Sequence, residues 1–392
     1  MKNQFYLFLF SRMSTFIANS LFFITFIWFL QKSTDTSTTA FTYSFLGLSI
    51  VFILPLGVYI DRLKPGILNT SSIIIQVFCV LLFILLFDNF IDGKYIYLIV
   101  FVLFISAVFM DVYTPSSNTL LTQILDSSAY KKANSIVQTS DQILNLIGYV
   151  LIGFLITTIG PKTTLMISLS LFVIAIVLNF TLIKYLDLKV EPPKVKRKFS
   201  KSIQEGLSII LKTDLLRFTI PISIFSNVIV AIIIAILPGI SENKGIHFFT
   251  AIYICFFIGF VIGALLSNKI PETLNNIYTI GVLNGFILLS FGYLMNSYWS
   301  LVVIVLFGIG SGIINIFDET IYQMNTPKEE MGNVLTLKRF ILSFAYPIGG
   351  FIAGYLALHL EIRNVIYFSA FIKIFLDIVL IISIKRYRKG FS

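Results

Sequence analysis

Long apolar segments alternate with short polar ones along the whole chain. A helix needs about 20 apolar residues to cross the hydrocarbon core of a bilayer, and most of the apolar segments reach that length. Charged and turn-forming residues separate them. The pattern predicts an all-α polytopic membrane protein with twelve transmembrane helices, at about 5–30, 40–60, 67–87, 95–115, 133–158, 162–184, 217–239, 247–267, 274–295, 299–322, 334–357 and 364–384.

The longest hydrophilic stretch divides the predicted spans into six plus six. It carries Pro192-Pro193 and a basic cluster, followed by apolar residues at helical spacing. We therefore predict an N-terminal six-helix half at 1–186 and a C-terminal six-helix half at 217–392. Between them, residues 187–216 form a basic cytoplasmic linker with an amphipathic helix on the membrane surface. A passive linker is the alternative.

Composition narrows the class of protein. Apolar residues make up 57% of the 392-residue chain and charged residues only 12%, about half the share of an average soluble domain. A single soluble core could not hide that much apolar surface. Cys79 and Cys255 both lie in apolar runs, which argues against a disulfide or a zinc site. No phosphate-binding loop or His-based constellation is evident, so we expect no enzyme activity, no cofactor and no metal.

The basic residues indicate the orientation. With both termini cytoplasmic, the inner connections and tails hold 22 of the 29 Lys and Arg residues, and the outer loops hold five. This asymmetry also explains the net charge of +10 without any nucleic-acid partner. We expect a multi-pass protein of a bacterial cytoplasmic membrane, acting as a monomer, with the lipid bilayer as its partner.

A weak internal repeat relates the two predicted halves. The stretch from Gly57 to Lys64 follows the second span, and Gly263 to Lys269 follows the eighth with the same glycine offset. Duplicated halves are typical of transporters, with the substrate site between them near the midplane.

The stretch Gly57-x-x-x-Asp61-Arg62 resembles the signature between spans 2 and 3 of the major facilitator superfamily. Along most of its length the chain is similar to the macrolide-efflux-like branch, at residues 113–118, 204–207 and 347–354. The resemblance implies twelve helices, alternating access, and export of small amphipathic molecules driven by a proton gradient.

Gly57, Asp61 and Arg62 are the predicted cytoplasmic gate. A glycine permits a close helix approach, and the two charges can bind the facing helix or the dipole at its end. Simple anchoring by interfacial charges is the alternative.

Charges inside spans are costly, so they are the sharper candidates. Arg12 lies about 10 Å into the first span, Asp111 about 6–8 Å from the inner end of the fourth, and Asp141 about 12 Å into the fifth. Comparable depths predict one polar cluster of these three residues. It is either a coupling site, where a proton and substrate compete for a carboxylate, or a static ion pair that holds helices together.

Polar stripes predict the lining of a central cavity. Gln138 and Asn145 share a face of the fifth span with Asp141, and Ser311 and Asn315 share a face of the tenth. Asn19 and Asn227 complete the predicted wall. Asp318 and Glu319, nearer the inner end of the tenth span, are interpreted as solvated interfacial charges.

Lys373 and Asp377 are four residues apart in the last span and can neutralise each other. We interpret them as an intramembrane ion pair with a structural role; a dimer contact or a proton path is the alternative. Glycines four residues apart, such as Gly259/Gly263 and Gly308/Gly312, predict close helix crossings.

Together with this resemblance, the sequence predicts a proton-coupled secondary exporter of an amphipathic small molecule. A drug, a macrolide-like compound, or an endogenous siderophore or metallophore fits that class. The alternative is an uptake symporter or facilitator of a small organic solute on the same fold.

Overall fold

The computed structural model describes residues 3–52, 64–124, 127–185, 207–271, 273–326 and 331–389, and these residues are almost entirely helical. We number the thirteen longer helices of the described residues in chain order: α1 Asn3–Ser33, α2 Thr36–Gly47, α3 Pro65–Ile91, α4 Ile96–Ile124, α5 Ser127–Thr158, α6 Pro161–Tyr185, α7 Asp214–Ser241, α8 Ile246–Leu266, α9 Leu274–Leu294, α10 Trp299–Asn325, α11 Met331–Ser343, α12 Ala345–His359 and α13 Ile362–Lys389.

Ten segments of the described chain are long and apolar enough to cross a membrane. Seven lie within single helices, two extend α7 and α8 into a short 3-10 helix, and the tenth, Leu337–His359, joins the end of α11 to α12. The predicted spans at 40–60 and 133–158 correspond to α2 and α5. The described part of α2 has only 12 residues, and in α5 only Ile147–Thr158 is an apolar segment. The count of twelve spans stays a prediction.

Proline and glycine set several helix boundaries. Pro65 and Pro161 begin α3 and α6, where a proline loses no helical hydrogen bond. Gly93 and Gly160 have φ angles of 78° and 85° in the connections before α4 and α6. These positive angles suit glycine, which lacks a Cβ.

The chain forms two compact units. Unit 1 comprises Met1–Asp35 and Leu48–Val195, and unit 2 comprises Thr36–Gly47 and Lys196–Ser392. In unit 1, α1 packs on α5 and α6, while α3 packs on α4 and α6. In unit 2, α8 packs on α10, α9 packs on α10 and α13, and α7 packs on α12 and α13. The predicted domain boundaries placed α2 in the first half, whereas it groups with unit 2; those boundaries stay a prediction.

The close crossing of α8 and α10 depends on glycine. A Cβ added to Gly259 would lie 2.1 Å from the Val305 carbonyl oxygen, and one added to Gly308 would lie 2.3 Å from that of Phe256. Gly263 and Gly312 meet backbone atoms of the opposite helix in the same way. The predicted close approach of these glycine pairs is therefore present in unit 2.

Side-chain hydroxyls fix the short helix α2 to α12. Ser37 Oγ donates to the Gly354 carbonyl at 2.8 Å, and Ser44 Oγ donates to the Pro347 carbonyl at 2.6 Å. Gly350 leaves room for the α2 backbone at Ser44. Because both serines are buried, these bonds satisfy polar groups that apolar surroundings would otherwise penalise.

Candidate functional site

A buried ion pair joins α1 to α5 in unit 1. Arg12 Nε donates to Asp141 Oδ1 at 3.0 Å, and Nη2 donates to Oδ2 at 2.8 Å. The Arg12 side chain is 4% accessible and that of Asp141 is 18% accessible. Two parallel bonds use the guanidinium fork fully, which is the strongest geometry for an Arg–carboxylate pair.

Helix α4 completes the surroundings of the Arg12 guanidinium. Nη1 donates to Ser117 Oγ at 2.7 Å and to Asn118 Oδ1 at 3.3 Å. The guanidinium also lies 5.1 Å from the ring centre of Phe16, one turn along α1. Arg12 therefore ties three helices of unit 1 together.

Asp111 does not belong to this group of contacts. Its Oδ2 accepts a hydrogen bond from Ser49 Oγ at 2.5 Å. Among the residues that the structure describes, no cation forms an ion pair with Asp111. A carboxylate in an apolar span that has only a hydroxyl partner is costly when ionised, unlike the compensated Asp141.

The end of α4 explains why Asp111 lies apart. The predicted span ended at 115, whereas α4 continues to Ile124. Asp111 is therefore about 20 Å from that end, at 1.5 Å per residue, instead of 6–8 Å. Asn118, two turns later on the same helix face, lies beside Arg12 in the position predicted for Asp111. The prediction of one three-residue cluster is wrong in this respect.

The predicted cavity residues have different surroundings. Asn227 Nδ2 donates to the Ser223 carbonyl at 2.7 Å, and Ser311 Oγ accepts from Asn284 Nδ2 at 3.3 Å. Asn315 is exposed and Asn19 is half-buried. The side chains of Gln138 and Asn145 lie outside the described residues, as do all of Gly57, Asp61 and Arg62. Their roles as cavity lining and gate stay predictions.

The predicted pair on α13 is present. Lys373 Nζ lies 3.2 Å from Asp377 Oδ2, and both side chains are 4% accessible. Lys373 also donates to Ser226 Oγ on α7 at 3.1 Å. Gly281 of α9 lies against the carboxylate, where an added Cβ would be 2.4 Å from Oδ2. The pair thus connects three helices of unit 2.

A second charged group was misread from the sequence. Lys338 of α11, 1% accessible, lies 2.7 Å from Asp318 Oδ2 and 3.2 Å from Glu319 Oε1. The sequence interpretation of Asp318 and Glu319 as solvated interfacial charges is wrong for Asp318, which is buried. The only available signal was the acidic pair itself, because the partner comes from another helix 19 residues away from Glu319.

Comparison with known proteins identifies the family. Residues 8–340 match the family model described as Major Facilitator Superfamily, which is most of the chain. The chain belongs to the Major Facilitator Superfamily.

Members of this superfamily in Bacillus subtilis (strain 168) are similar to it along the sequence. The "Uncharacterized MFS-type transporter YfmI" is 25% identical over 388 residues, which cover 94% of this chain and 93% of that protein. The "Uncharacterized MFS-type transporter YvqJ" is 26% identical over 260 residues, covering 62% and 60%.

Solved structures share the fold. A bacterial homologue of the iron transporter ferroportin, in an inward-facing state, has a TM-score of 0.73 at 15% identity and covers 98% of this chain and 99% of that one. The nucleoside transporter NupG has a TM-score of 0.70 at 14% identity and covers 97% and 98%. The superfamily match and the ten apolar helices make this chain a multi-pass membrane transporter rather than an enzyme. The macrolide-efflux-like branch stays a prediction.

Proposed function

We propose that this superfamily member is a proton-coupled exporter of amphipathic small molecules, working by alternating access in a bacterial cytoplasmic membrane. The observation that carries the proposal is the pairing of charges in unit 1. Arg12 and Asp141 compensate each other, whereas among the described residues Asp111 is bonded to the Ser49 hydroxyl and to no cation. Asp111 is therefore the carboxylate that can take up and release a proton without breaking an ion pair.

The direction and substrate class come from the sequence resemblance. The stretches at 113–118, 204–207 and 347–354 support a macrolide-efflux-like exporter, and the superfamily signature at 57–62 supports Gly57, Asp61 and Arg62 as its cytoplasmic gate. A drug, a macrolide-like compound, or a siderophore or metallophore is the proposed cargo. The alternative is uptake of a small organic solute, which predicts transport in the opposite direction. Transport into everted and into right-side-out vesicles distinguishes export from uptake.

Proteoliposomes with a pH-sensitive dye inside test the coupling. The panel contains a macrolide, a siderophore and the fluorescent cation ethidium. For whichever probe moves protons through the wild-type protein, we expect Asp111→Asn to abolish that proton flux. Asp88→Asn is the matched control, because the ion pair of Asp88 with Lys162 is exposed and the change should leave flux unchanged.

Two results would contradict the proposal. Full substrate-driven proton flux in Asp111→Asn would remove Asp111 from coupling. Energised everted vesicles that fail to accumulate any probe, together with right-side-out vesicles that take one up, would show import instead of export.

A further inference from the structure

A stripe of buried polar side chains follows one face of α3 in unit 1. Asn69, Ser72 and Gln76 recur at spacings of three and four residues, so they lie on the same side of the helix. They are 1%, 0% and 0% accessible, within a segment that is apolar enough to cross a membrane. Polar groups in such a place are costly unless each has a hydrogen-bond partner.

Each of the three side chains has one polar atom to which the described part of the chain offers no hydrogen-bond partner. These atoms are Asn69 Nδ2, Ser72 Oγ and Gln76 Oε1. The other end of each amide is bonded. Asn69 Oδ1 accepts from Asn179 Nδ2 on α6 at 2.5 Å, and Gln76 Nε2 donates to the Ser72 carbonyl at 3.3 Å. These bonds hold both amides in place, and their free atoms remain inside unit 1.

Other buried hydroxyls of unit 1 show how such a group is satisfied by the protein itself. Ser11 Oγ donates to the Ala175 carbonyl at 3.1 Å, and Ser168 Oγ donates to the Ala18 carbonyl at 2.7 Å. Both bonds cross from one helix to another. The Ser72 hydroxyl has no equivalent bond, although it is equally buried.

The turn before Ser72 explains this difference. A serine or threonine inside a helix can donate to the carbonyl four residues earlier, as Thr70 Oγ1 does to Gly66 at 2.9 Å. For Ser72 that carbonyl belongs to Leu68, which already accepts from Ser71 Oγ at 3.0 Å. A carbonyl oxygen has two lone pairs, and the helical N–H uses the other one. The Ser72 hydroxyl is therefore left for a partner from outside the chain.

The free atoms form an ordered series of donor and acceptor along α3. Asn69 Nδ2 can only donate, Gln76 Oε1 can only accept, and the Ser72 hydroxyl between them can do both. A cation would be repelled by the amide donor and an anion by the amide acceptor. Side chains three or four residues apart on a helix have Cβ atoms about 5–6 Å apart, which one water molecule can bridge with two bonds of about 2.8 Å.

We propose that unit 1 binds two water molecules in a row, between α3 and the helices α4 and α6 that pack on it. The first water accepts from Ser72 Oγ and donates to Gln76 Oε1. The second accepts from Asn69 Nδ2 and donates to Ser72 Oγ. All three free atoms then have a partner, as buried polar groups in proteins do. The site does not involve Asp111, so it does not depend on the proposed proton coupling.

Pulsed X-ray radiolysis of the full-length protein in liposomes tests this proposal without a known substrate. The pulse converts water into hydroxyl radicals, which oxidise the side chains next to that water. Cys79 is buried three residues after Gln76 on the same face, about 21 Å along α3 from Pro65, and is therefore far from bulk water. We expect oxidation of Cys79 in the wild-type protein, measured by mass spectrometry of its peptide.

Two variants separate bound water from other sources of radicals. The double variant Ser72→Ala/Gln76→Leu removes two of the three free atoms and should abolish the oxidation of Cys79. Ser168→Ala is the matched control, because this serine is equally buried in unit 1 but is bonded to the Ala18 carbonyl. The control should leave the oxidation of Cys79 unchanged.

Cys79 that stays unoxidised in the wild-type protein overturns the proposal, and this measurement needs no variant to fold. Oxidation that persists in the double variant, or an equal loss in Ser168→Ala, also overturns it. Ser72→Ala alone gives an independent check by thermal unfolding. If Ser72 Oγ binds water, its removal lowers the unfolding midpoint, whereas an unchanged or higher midpoint shows that the hydroxyl had no partner to lose.

Discussion

The Arg12–Asp141 pair of unit 1 and the Lys338–Asp318–Glu319 group of unit 2 differ in their cation and in the number of carboxylates that the cation binds. In unit 1 the guanidinium of Arg12 holds one carboxylate through two bonds and uses its remaining nitrogen on Ser117 and Asn118. In unit 2 the ammonium of Lys338 is divided between two carboxylates. The first group pairs one cation with one carboxylate, whereas the second pairs one cation with two carboxylates, of which Glu319 is the more accessible.

The difference follows from the geometry of the two cations. Guanidinium is planar and presents a rigid fork that matches one carboxylate, so breaking the pair loses several bonds together. Ammonium is a compact point charge with three donors, so it can keep one partner when another is neutralised. The comparison indicates that Arg12–Asp141 ties helices through one shared pair of groups, whereas Lys338 keeps one carboxylate partner when the other is removed.

Removing Lys338 should have the largest effect. Lys338→Leu leaves the buried Asp318 and the partly exposed Glu319 without this cation, and we expect a loss of about 3–5 kcal/mol in the free energy of unfolding. Fluorescence-detected thermal unfolding of the purified protein measures the shift. Lys162→Leu is the control, because its pair with Asp88 is exposed and should contribute about 0–1 kcal/mol. Equal midpoints for the two variants would show that the buried group is not stabilised by its lysine.

Replacing guanidinium by ammonium in unit 1 should have an intermediate effect. Arg12→Lys keeps the charge and loses one of the two bonds to Asp141 together with the bonds to Ser117 and Asn118. We expect a cost of about 2 kcal/mol, measured by thermal unfolding. Combining it with Ser117→Ala should cost less than the sum of the two changes, because both remove the same bond. If the two losses of stability were fully additive, Arg12 and Ser117 would not share the bond between them.

Neutralising Glu319 should have the smallest effect on stability. Glu319→Gln removes the surplus carboxylate and leaves the Asp318–Lys338 pair, so we expect a change of less than about 1 kcal/mol. Asp141→Asn is the comparison in unit 1, where the same change leaves Arg12 uncompensated and should cost about 3 kcal/mol. Thermal unfolding of both variants in the same buffer measures the two losses of stability. Similar losses would mean that Glu319 is as necessary to its charge group as Asp141 is to the Arg12 pair.

Features determined within one helix could be predicted from the sequence. Apolar length located the helices, and spacing of four residues paired Lys373 with Asp377. Depth along α1 and α5 brought Arg12 and Asp141 together, although it misplaced Asp111 because the end of α4 was set nine residues too early.

Features that depend on helix packing could not be predicted. The burial of Asp318 by Lys338 needs α10 and α11 to meet, and no local pattern encodes which faces do so. The grouping of α2 with unit 2 likewise results from hydroxyl bonds to residues about 300 positions later in the chain.

The bonding of α2 has a consequence for biosynthesis. The ribosome completes Ser37 and Ser44 long before it adds Gly354 and Pro347, the carbonyl partners that lie 317 and 303 residues further on. Translation must therefore pass most of the chain before this helix can acquire its final neighbours. A nascent polypeptide that stops before α12 lacks both carbonyl partners, so neither serine of α2 can form these bonds until α12 has been made.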